Sequence, residues 1–377
     1  MYKEYVVQCR KKGVAVMSRK TFSEVFSSMN LSLFSPRKDQ CDICSMHSVG
    51  NISDTEYYEH TQNKDKARLE KTMAKEKAIK DPRKLVYTMD LEAVMLCPLL
   101  KASALYYKTK LAVHNFTLFN LANKYAKCYV WHEGEGGLVA SVFATIISDF
   151  LESEIATHCD VTEVTLFSDG CVYQNRNAVV SNAILQVAVR TGVTIHQKFL
   201  EKGHTQMECD SMHSSVERQL RNRDIQVPSD YVRIIRNAGQ VPQPYSVVYL
   251  DHTFFKDFSR NLVYPSIRPG NKVGDPTVID VRALRYSKDN TISFKTDFAD
   301  EYAPLPRPRL ATRPVASTAT SQCTAPAMYR ECLPIKSEKF VHLQQLKKVI
   351  LSDHHHFYDS LSHICKGQCT HLIASSD

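Results

Sequence analysis

The stretch LVYTMDL, residues 85–91, is an apolar run that contains a single carboxylate, Asp90. Its composition predicts a buried β-strand. An ionised carboxylate inside such a strand is costly to bury unless a metal ion or a cationic group balances its charge. The stretch therefore predicts a core strand that carries either a metal ligand or a paired acid.

Downstream of this strand, further apolar runs can be read in order. Residues 106–119 alternate apolar and polar side chains as a half-buried strand does, and residues 127–132 form a strand that ends at a glycine-rich turn. A helix, a strand, a helix, a strand and a helix follow at residues 138–154, 161–167, 177–190, 193–200 and 206–221. The order β-β-β-α-β-α-β-α predicts a mixed sheet flanked by helices, and it is the order of the RNase H-like fold.

The segments on either side of this core differ from it in composition. We expect an N-terminal helical module that contains cysteines, the RNase H-like core, a mixed β-rich extension, a Pro-rich linker and a C-terminal helix with a tail, at residues 1–82, 83–223, 224–302, 303–330 and 331–377. We also expect the chain to be the C-terminal part of a longer protein.

The overall composition excludes several classes of protein. Of the 377 residues, 43% are hydrophobic and 23% are charged, which excludes a wholly disordered, collagen-like or coiled-coil chain. No stretch approaches the roughly 18 consecutive apolar residues of a membrane span, and the first residues lack the apolar region of a secretory signal. The 12 cysteines are therefore expected to be reduced thiols or metal ligands in a nuclear or cytoplasmic protein that is not secreted.

Three carboxylates occupy the positions at which an RNase H-like fold carries its acids. Asp90 lies in the first strand and Asp169 directly follows the fourth, its neighbour in that fold, so we expect both at one end of the sheet. The last helix offers Asp210, our preferred third acid, with His213 and Glu217 on the same face. Such hard oxygen ligands suit Mg²⁺ or Mn²⁺ and predict a catalytic site for phosphodiester chemistry. The alternatives are turn chemistry for Asp169 and a surface role for His213.

Polar residues cluster at the junction between the fourth strand and the next helix. Gln174, Asn175 and Arg176 are placed to bind the phosphates of a nucleic acid or to orient carboxylates. Helix capping, with Asn177 as the cap, is the alternative. Glu133, at the end of the third strand, is a reserve acid.

The spacing Cys41-x-x-Cys44 is that of a zinc knuckle, because two thiolates three residues apart can bind one Zn²⁺ from a tight turn. No second Cys-x-x-Cys follows. We expect His60 as the third ligand and keep His47 as the alternative, with Cys9 as a further candidate. The competing interpretation is a pair of buried thiols without a metal.

Six motifs together give the chain a family resemblance. They are CDIC (41–44), YTMDLEAV (87–94), YVWHEGEGG (129–137), LFSDGCVYQNRN (166–177), GHTQMECDSMHSSVE (203–217) and PGNKVGDPTVIDVRAL (269–284). This combination resembles a transposon-associated RNase H-like family, integrase-like and transposase-like in type and widespread in animals and fungi, and the resemblance covers most of the chain. It implies a core directed at nucleic acid and an upstream module that contains cysteines.

These features lead to one main functional prediction and two rivals. We expect a transposon-derived RNase H-like protein that carries out divalent-metal-dependent phosphodiester cleavage or strand transfer on nucleic acid, with DNA favoured. The first rival is a catalytically inactive, domesticated scaffold that binds nucleic acid or protein, which the modest net charge of +8 favours. The second is a zinc-structured interaction protein whose acids only form salt bridges.

Overall fold

The computed structural model describes residues 2–29, 41–158, 160–240, 243–307 and 325–364. Ten strands in these ranges form one mixed sheet, so the expected mixed α/β class is confirmed. The strands are β1 (Lys84–Leu91), β2 (Met95–Cys97), β3 (Leu111–Asn120), β4 (Ala126–His132), β5 (Glu163–Ser168), β6 (Thr194–Phe199), β7 (Ser246–Tyr249), β8 (Ala283–Ser287), β9 (Thr291–Lys295) and β10 (Ala303–Pro304).

Helices cover both faces of this sheet. They are α1 (Tyr2–Lys11), α2 (Arg19–Ser28), α3 (Asp42–Ser48), α4 (Asp54–Lys80), α5 (Ala140–Thr157), α6 (Ala178–Thr191), α7 (Glu208–Leu220), α8 (Ser229–Ala238), α9 (Ser337–Leu346) and α10 (His355–Asp359). None of the helices in the described ranges has both the length and the apolar character needed to cross a bilayer.

The strand order across the sheet is β10-β9-β8-β6-β5-β1-β3-β4-β7, and the short β2 pairs with β3 beside this path. Strands β1, β5 and β6 are parallel, whereas β3 is antiparallel to both β1 and β4. Because β1 and β5 are parallel neighbours, their carboxyl ends lie at the same edge of the sheet.

The strands that follow residue 223 extend this sheet at both sides. Strand β7 pairs parallel with β4, and β8 pairs antiparallel with β6. Part of the predicted Pro-rich linker (residues 308–324) and the end of the predicted tail (residues 365–377) lie outside the described residues.

The strand predicted over residues 106–119 begins later, at Leu111. Its ladder with β2 runs only from Leu111 to Val113, because β2 is three residues long. Tyr106 and Tyr107 precede this ladder and are 81% and 85% exposed. The alternating pattern was therefore not enough to make residues 106–110 a strand without a partner.

The two faces of β1 contact different helices. Tyr87 and Met89 belong to the core cluster formed with α5 and α6, whereas Val86 belongs to the cluster that includes α4 and the start of α7. The hydroxyl of Thr88 lies 3.4 Å from the Cys209 thiol of α7. Because side chains alternate along a strand, Asp90 lies on the α7 face.

Helix α4 begins at Asp54, directly after Ser53, which forms a capping box with Glu56. Its buried residues are His60, Ala67, Ala74 and Ala78. This spacing places them on one face of the helix. The buried face brings His60 from the N-terminal module towards the core.

Candidate functional site

Four side chains form a group with the character of a metal site, and we call them the knuckle group: Cys41, Cys44, His60 and His204. Their ligand atoms all lie within 4.8 Å of one another. The Nε2 atom of His60 lies 3.2 Å from the Cys41 Sγ and 3.7 Å from the Cys44 Sγ, and the His204 Nε2 lies 3.3 Å from the Cys44 Sγ. Two ligands of a tetrahedral zinc ion are about 3.6 Å apart, so this group could hold a metal ion.

Local structure positions the first three members of this group. Cys41 is the N-cap of α3, and its sulfur accepts a hydrogen bond from the Cys44 backbone N–H at 3.3 Å. The buried ring of His60 places its Nδ1 3.6 Å from a carboxylate oxygen of Glu201. Glu201 therefore lies near the ring nitrogen other than the Nε2 atom that faces the two sulfurs.

The fourth member, His204, was not predicted from the sequence. It reaches the group because Gly203 has φ +75°, and a Cβ atom on Gly203 would lie 2.4 Å from the Cys41 Cβ. The backbone therefore approaches Cys41 closely only because residue 203 is glycine. The signal for His204 is the Gly203-His204 pair in the loop that follows β6.

The other candidates for this metal site lie elsewhere. The Nε2 atom of His47 lies 2.9 Å from a carboxylate oxygen of Asp54, and the His47 ring stacks on Tyr57. Cys9 is a buried thiol of α1. His60 is thus the predicted histidine that lies beside both cysteines.

The register of β1 and β5 places two of the predicted catalytic acids at the same level of the sheet. Thr88 pairs with Phe167, and Asp90 and Asp169 each follow two residues later. Phe167 shares a cluster with Val86 and Cys209, and side-chain alternation within β1 directs Asp90 to this α7 face, whereas Asp169 directly follows Ser168, the last residue of β5.

A histidine of α7 lies beside Asp90. The Nδ1 atom of His213 is 4.0 Å from a carboxylate oxygen of Asp90. On the other side of the ring, Nε2 is 3.1 Å from the hydroxyl of Thr117, the residue paired with Asp90 in β3. His213 is buried, so it is not a surface histidine.

Asp169 is held by the loop that follows it. One of its carboxylate oxygens accepts hydrogen bonds from the Asn175 side-chain amide at 2.9 Å and from the Cys171 backbone N–H at 3.2 Å. Asn175 is 1% exposed. The sequence leaves open whether this amide binds a phosphate or orients a carboxylate. Its hydrogen bond to Asp169 supports the second role.

Gln174 and Arg176 are also buried and have partners within the chain. The Gln174 amide donates to the Tyr173 hydroxyl at 3.0 Å. The Arg176 guanidinium donates to the Ile279 carbonyl at 2.9 Å and lies 4.3 Å from the centre of the Phe199 ring. Burial is the main cause that lowers the pKa of Arg176 to about 10, and the charge of Arg282 adds to it.

The two acids of α7 have different surroundings. Asp210 accepts a hydrogen bond from the Met207 backbone N–H at 3.2 Å and so caps its own helix. Glu217 lies near Glu92, a 3% exposed residue two positions after Asp90. Burial, and to a smaller extent the charge of Glu217, raises the pKa of Glu92 to about 7, while the Asn115 amide donates to its carboxylate at 2.8 Å.

Glu92 was not predicted from the sequence either, although its spacing of two residues from Asp90 indicates a shared strand face. Glu133, the predicted reserve acid, accepts hydrogen bonds from the Ala112 backbone N–H and the Lys339 ammonium. Among the described residues, two groups of ligand atoms meet the 4.8 Å spacing, and Asp90, Asp169 and Asp210 are in neither.

A groove of about 320 Å³ adjoins this part of α7. It is lined by Leu99, Leu100, Lys101, Glu217, Leu220, Arg221 and Arg223. The lining combines apolar surface with three cationic side chains next to one of the carboxylates.

Comparisons with protein-family models, with curated proteins and with solved structures find no match to this chain.

Proposed function

We propose that this chain is a nuclear, transposon-derived protein with an RNase H-like core that cleaves or joins phosphodiester bonds of nucleic acid, DNA being favoured, with Mg²⁺ or Mn²⁺. The observation that carries the proposal is the parallel pairing of β1 and β5, in which Thr88 pairs with Phe167 and Asp90 and Asp169 each follow two residues later. The order β4-β3-β1-β5-β6 supports it, because the first long strand lies between the second and the fourth as the RNase H-like fold requires.

The residues around these two aspartates fit a divalent ion. Carboxylate oxygens are the ligands that Mg²⁺ and Mn²⁺ prefer, and a bound ion supplies an activated water or hydroxyl and stabilisation of the leaving oxygen. Within the chain, Asn175 orients Asp169 through its 2.9 Å hydrogen bond. His213 is placed to hold a proton at Nδ1 beside Asp90. Asn175 is thus a positioning residue of the proposed site.

For the third acid, we now propose Glu217 in place of Asp210. The Asp210 carboxylate already caps α7, whereas the charge of Glu217 acts on the buried Glu92 and the Glu217 side chain lines the groove. The charge of Glu217 raises the pKa of Glu92, and a cation bound between two carboxylates relieves such repulsion.

The groove beside Glu217 supports a polyanionic substrate. Lys101, Arg221 and Arg223 line it, and cationic side chains attract phosphates through a salt-dependent interaction. Its apolar walls offer a surface for unpaired bases or sugars. Nucleic acid is therefore the substrate class proposed for this site.

We further propose that the knuckle group binds Zn²⁺ in a structural role. Two cysteines and two histidines complete a tetrahedral set, which is the composition of closed structural zinc sites. The ion would tie α3 and α4 to the loop after β6, because Cys44 and His204 are 160 residues apart in the chain.

A scaffold without turnover is the second candidate. The hydrogen bond through which Asp210 caps its own helix favours it over catalysis by Asp90, Asp169 and Asp210. In this case the groove would bind nucleic acid without cleaving it.

The test is a cleavage and strand-transfer assay of the full chain on end-labelled single-stranded DNA, duplex DNA and RNA, with Mg²⁺ or Mn²⁺. We expect metal-dependent product, which Asp90→Asn and Asp169→Asn each reduce at least a hundredfold. The matched control is Asp353→Asn, which removes one charge from an exposed turn. Product that survives both substitutions would refute the assignment. Nucleic-acid binding without any product would favour the scaffold.

Thermal unfolding gives a second measurement that does not depend on turnover. An ion that binds only the folded site raises the melting temperature by mass action. We expect Mg²⁺ or Mn²⁺ to raise that of the wild type and of Asp353→Asn, but not that of Asp169→Asn. No metal-induced shift in the wild type would count against the divalent site.

A further inference from the structure

A second group of ligand-type side chains lies at the opposite side of the sheet from the knuckle group. We call it the edge group: Glu135, His252 and Cys332, whose ligand atoms all lie within 4.8 Å of one another. Glu135 is in the turn after β4, His252 follows the edge strand β7, and Cys332 belongs to the segment that precedes α9. Three distant parts of the chain therefore converge at one point.

The contacts within the edge group share one nitrogen. The Nδ1 atom of His252 lies 2.9 Å from the Glu135 Oε2 and 3.4 Å from the Cys332 Sγ. In a nucleophilic triad the carboxylate holds one ring nitrogen and the thiol meets the other. Here the carboxylate and the thiol both contact Nδ1, so the ring cannot pass a proton from one to the other. The three groups instead point at one position, as metal ligands do.

The distances are also those of a coordination sphere. The Cys332 Sγ lies 3.7 and 3.8 Å from the two Glu135 oxygens. Sulfur, nitrogen and oxygen ligands of a tetrahedral zinc ion are about 3.4–3.6 Å apart, given zinc bond lengths of 2.0–2.3 Å. The Glu135 Oε2 and the His252 Nδ1 are closer, at 2.9 Å, because these two side chains form a hydrogen bond.

Neighbouring groups hold the carboxylate in place. The His252 backbone N–H donates to the Glu135 Oε2 at 2.8 Å, and the His132 Nε2 lies 3.7 Å from Oε1. The other nitrogen of His132 accepts the Gly134 N–H at 3.1 Å, which fixes its ring. Carboxylates that bind metal ions are commonly held by such hydrogen bonds, here by the one from the His252 N–H.

The backbone around the edge group is tied together independently of any metal. The Leu333 N–H donates to the Gly134 carbonyl at 2.7 Å, one residue from each of two members of the group. A Cβ atom on Gly136 would lie 2.7 Å from the Phe255 ring, so this turn too approaches its neighbour closely. The three ligands are thus brought together before an ion binds, which lowers the entropy cost of binding.

We propose that Glu135, His252 and Cys332 bind a second transition-metal ion, of the borderline-soft class to which Zn²⁺ and Co²⁺ belong, and that this ion fastens the segment around Cys332 to the edge of the sheet. A mixed thiolate, imidazole and carboxylate set suits this class better than Mg²⁺ or Ca²⁺, which prefer oxygen ligands only. The ligands belong neither to the knuckle group nor to the proposed catalytic carboxylates, so this site does not rest on the proposed catalytic function.

The test measures zinc stoichiometry of the full chain after dialysis against a small excess of Zn²⁺, with Co²⁺ substitution to detect thiolate coordination. We expect one equivalent fewer in Cys332→Ser and in His252→Gln than in the wild type. Cys171→Ser, which removes a thiol outside both groups, should match the wild type. Cys41→Ser disables the knuckle group, and this variant should still bind one equivalent of zinc at the edge group.

A second measurement needs no variant. Alkylation of Cys332 in the wild type, followed by peptide mapping, should slow at least tenfold when Zn²⁺ is added and recover with a chelator. Unchanged alkylation together with unchanged stoichiometry in Cys332→Ser and His252→Gln would overturn the edge site. Loss of zinc in Cys41→Ser alone would overturn the edge site but leave the knuckle site standing.

Discussion

The replacement Gly203→Ala tests whether the knuckle group depends on close approach of the loop after β6. Gly203 has φ +75°, a conformation that costs an L-residue about 1–2 kcal/mol. The added Cβ would also lie 2.4 Å from the Cys41 Cβ. Because carbon atoms in contact are separated by about 3.5–4.0 Å, either Cys41 or the loop must move by about 1 Å.

This displacement is large compared with the tolerance of a zinc site. Ligand distances that depart from their usual values by more than about 0.2 Å are outside the normal range, and disturbed supporting contacts typically cost 10–100-fold in affinity. We therefore expect Gly203→Ala to lower zinc affinity at least tenfold, or about 1.4 kcal/mol. Gly203→Ala should therefore lower the free energy of unfolding by about 1.4 kcal/mol more when zinc is present than when a chelator has removed it.

Gly192→Ala is the matched control. Gly192 has φ +74°, and a Cβ atom there would meet no atom within 4 Å. Both variants therefore carry the same backbone cost, and only Gly203→Ala displaces Cys41.

The assay is a competitive zinc titration against a chromophoric chelator, combined with chemical unfolding in zinc and in chelator. We expect Gly192→Ala to lose stability equally in both conditions and to keep wild-type zinc affinity. Equal zinc affinity in the two variants would refute the reasoning that Gly203 positions the knuckle group.

Two further predictions concern the core. Burial lowers the pKa of His114 to about 4, below its unfolded value of about 6.5, so between these values the unfolded chain binds more protons and stability falls as pH is lowered. His114→Gln should remove up to about 2.5 kcal/mol of this acid destabilisation, measured by chemical unfolding at pH 7 and pH 4.5. Asn182→Ala should cost about 2–4 kcal/mol in the same assay at pH 7, because the buried Asn182 amide pairs with both the carbonyl and the N–H of Tyr264 at 2.7 and 3.0 Å.

Each of these two has a control on the surface. His356→Gln replaces an exposed histidine and should leave the difference in stability between pH 7 and pH 4.5 as in the wild type. Asn271→Ala replaces an exposed asparagine and should change stability by less than about 0.5 kcal/mol. An unaltered acid response in His114→Gln, or a stability cost in Asn182→Ala as small as that of Asn271→Ala, would contradict the respective prediction.

Local patterns in the sequence determined the elements of the core. The apolar run at residues 85–91 forms β1, and the helix predicted at residues 177–190 is α6, which Asn177 caps in agreement with the alternative interpretation of this junction. Hydrophobic periodicity reports such elements because each residue's exposure follows from the geometry of its own strand or helix. The spacing of Cys41 and Cys44 could be read for the same reason, since both ligands come from one turn.

The tertiary structure alone decided which distant side chains meet. His204 joins Cys44 across 160 residues, Glu217 approaches Glu92, and Cys332 reaches His252. No periodicity encodes these contacts, because they depend on which loops approach one another once the sheet has formed. The interior position of Arg176 has the same origin, since its partner Phe199 comes from β6 and its partner Ile279 lies 103 residues after Arg176 itself.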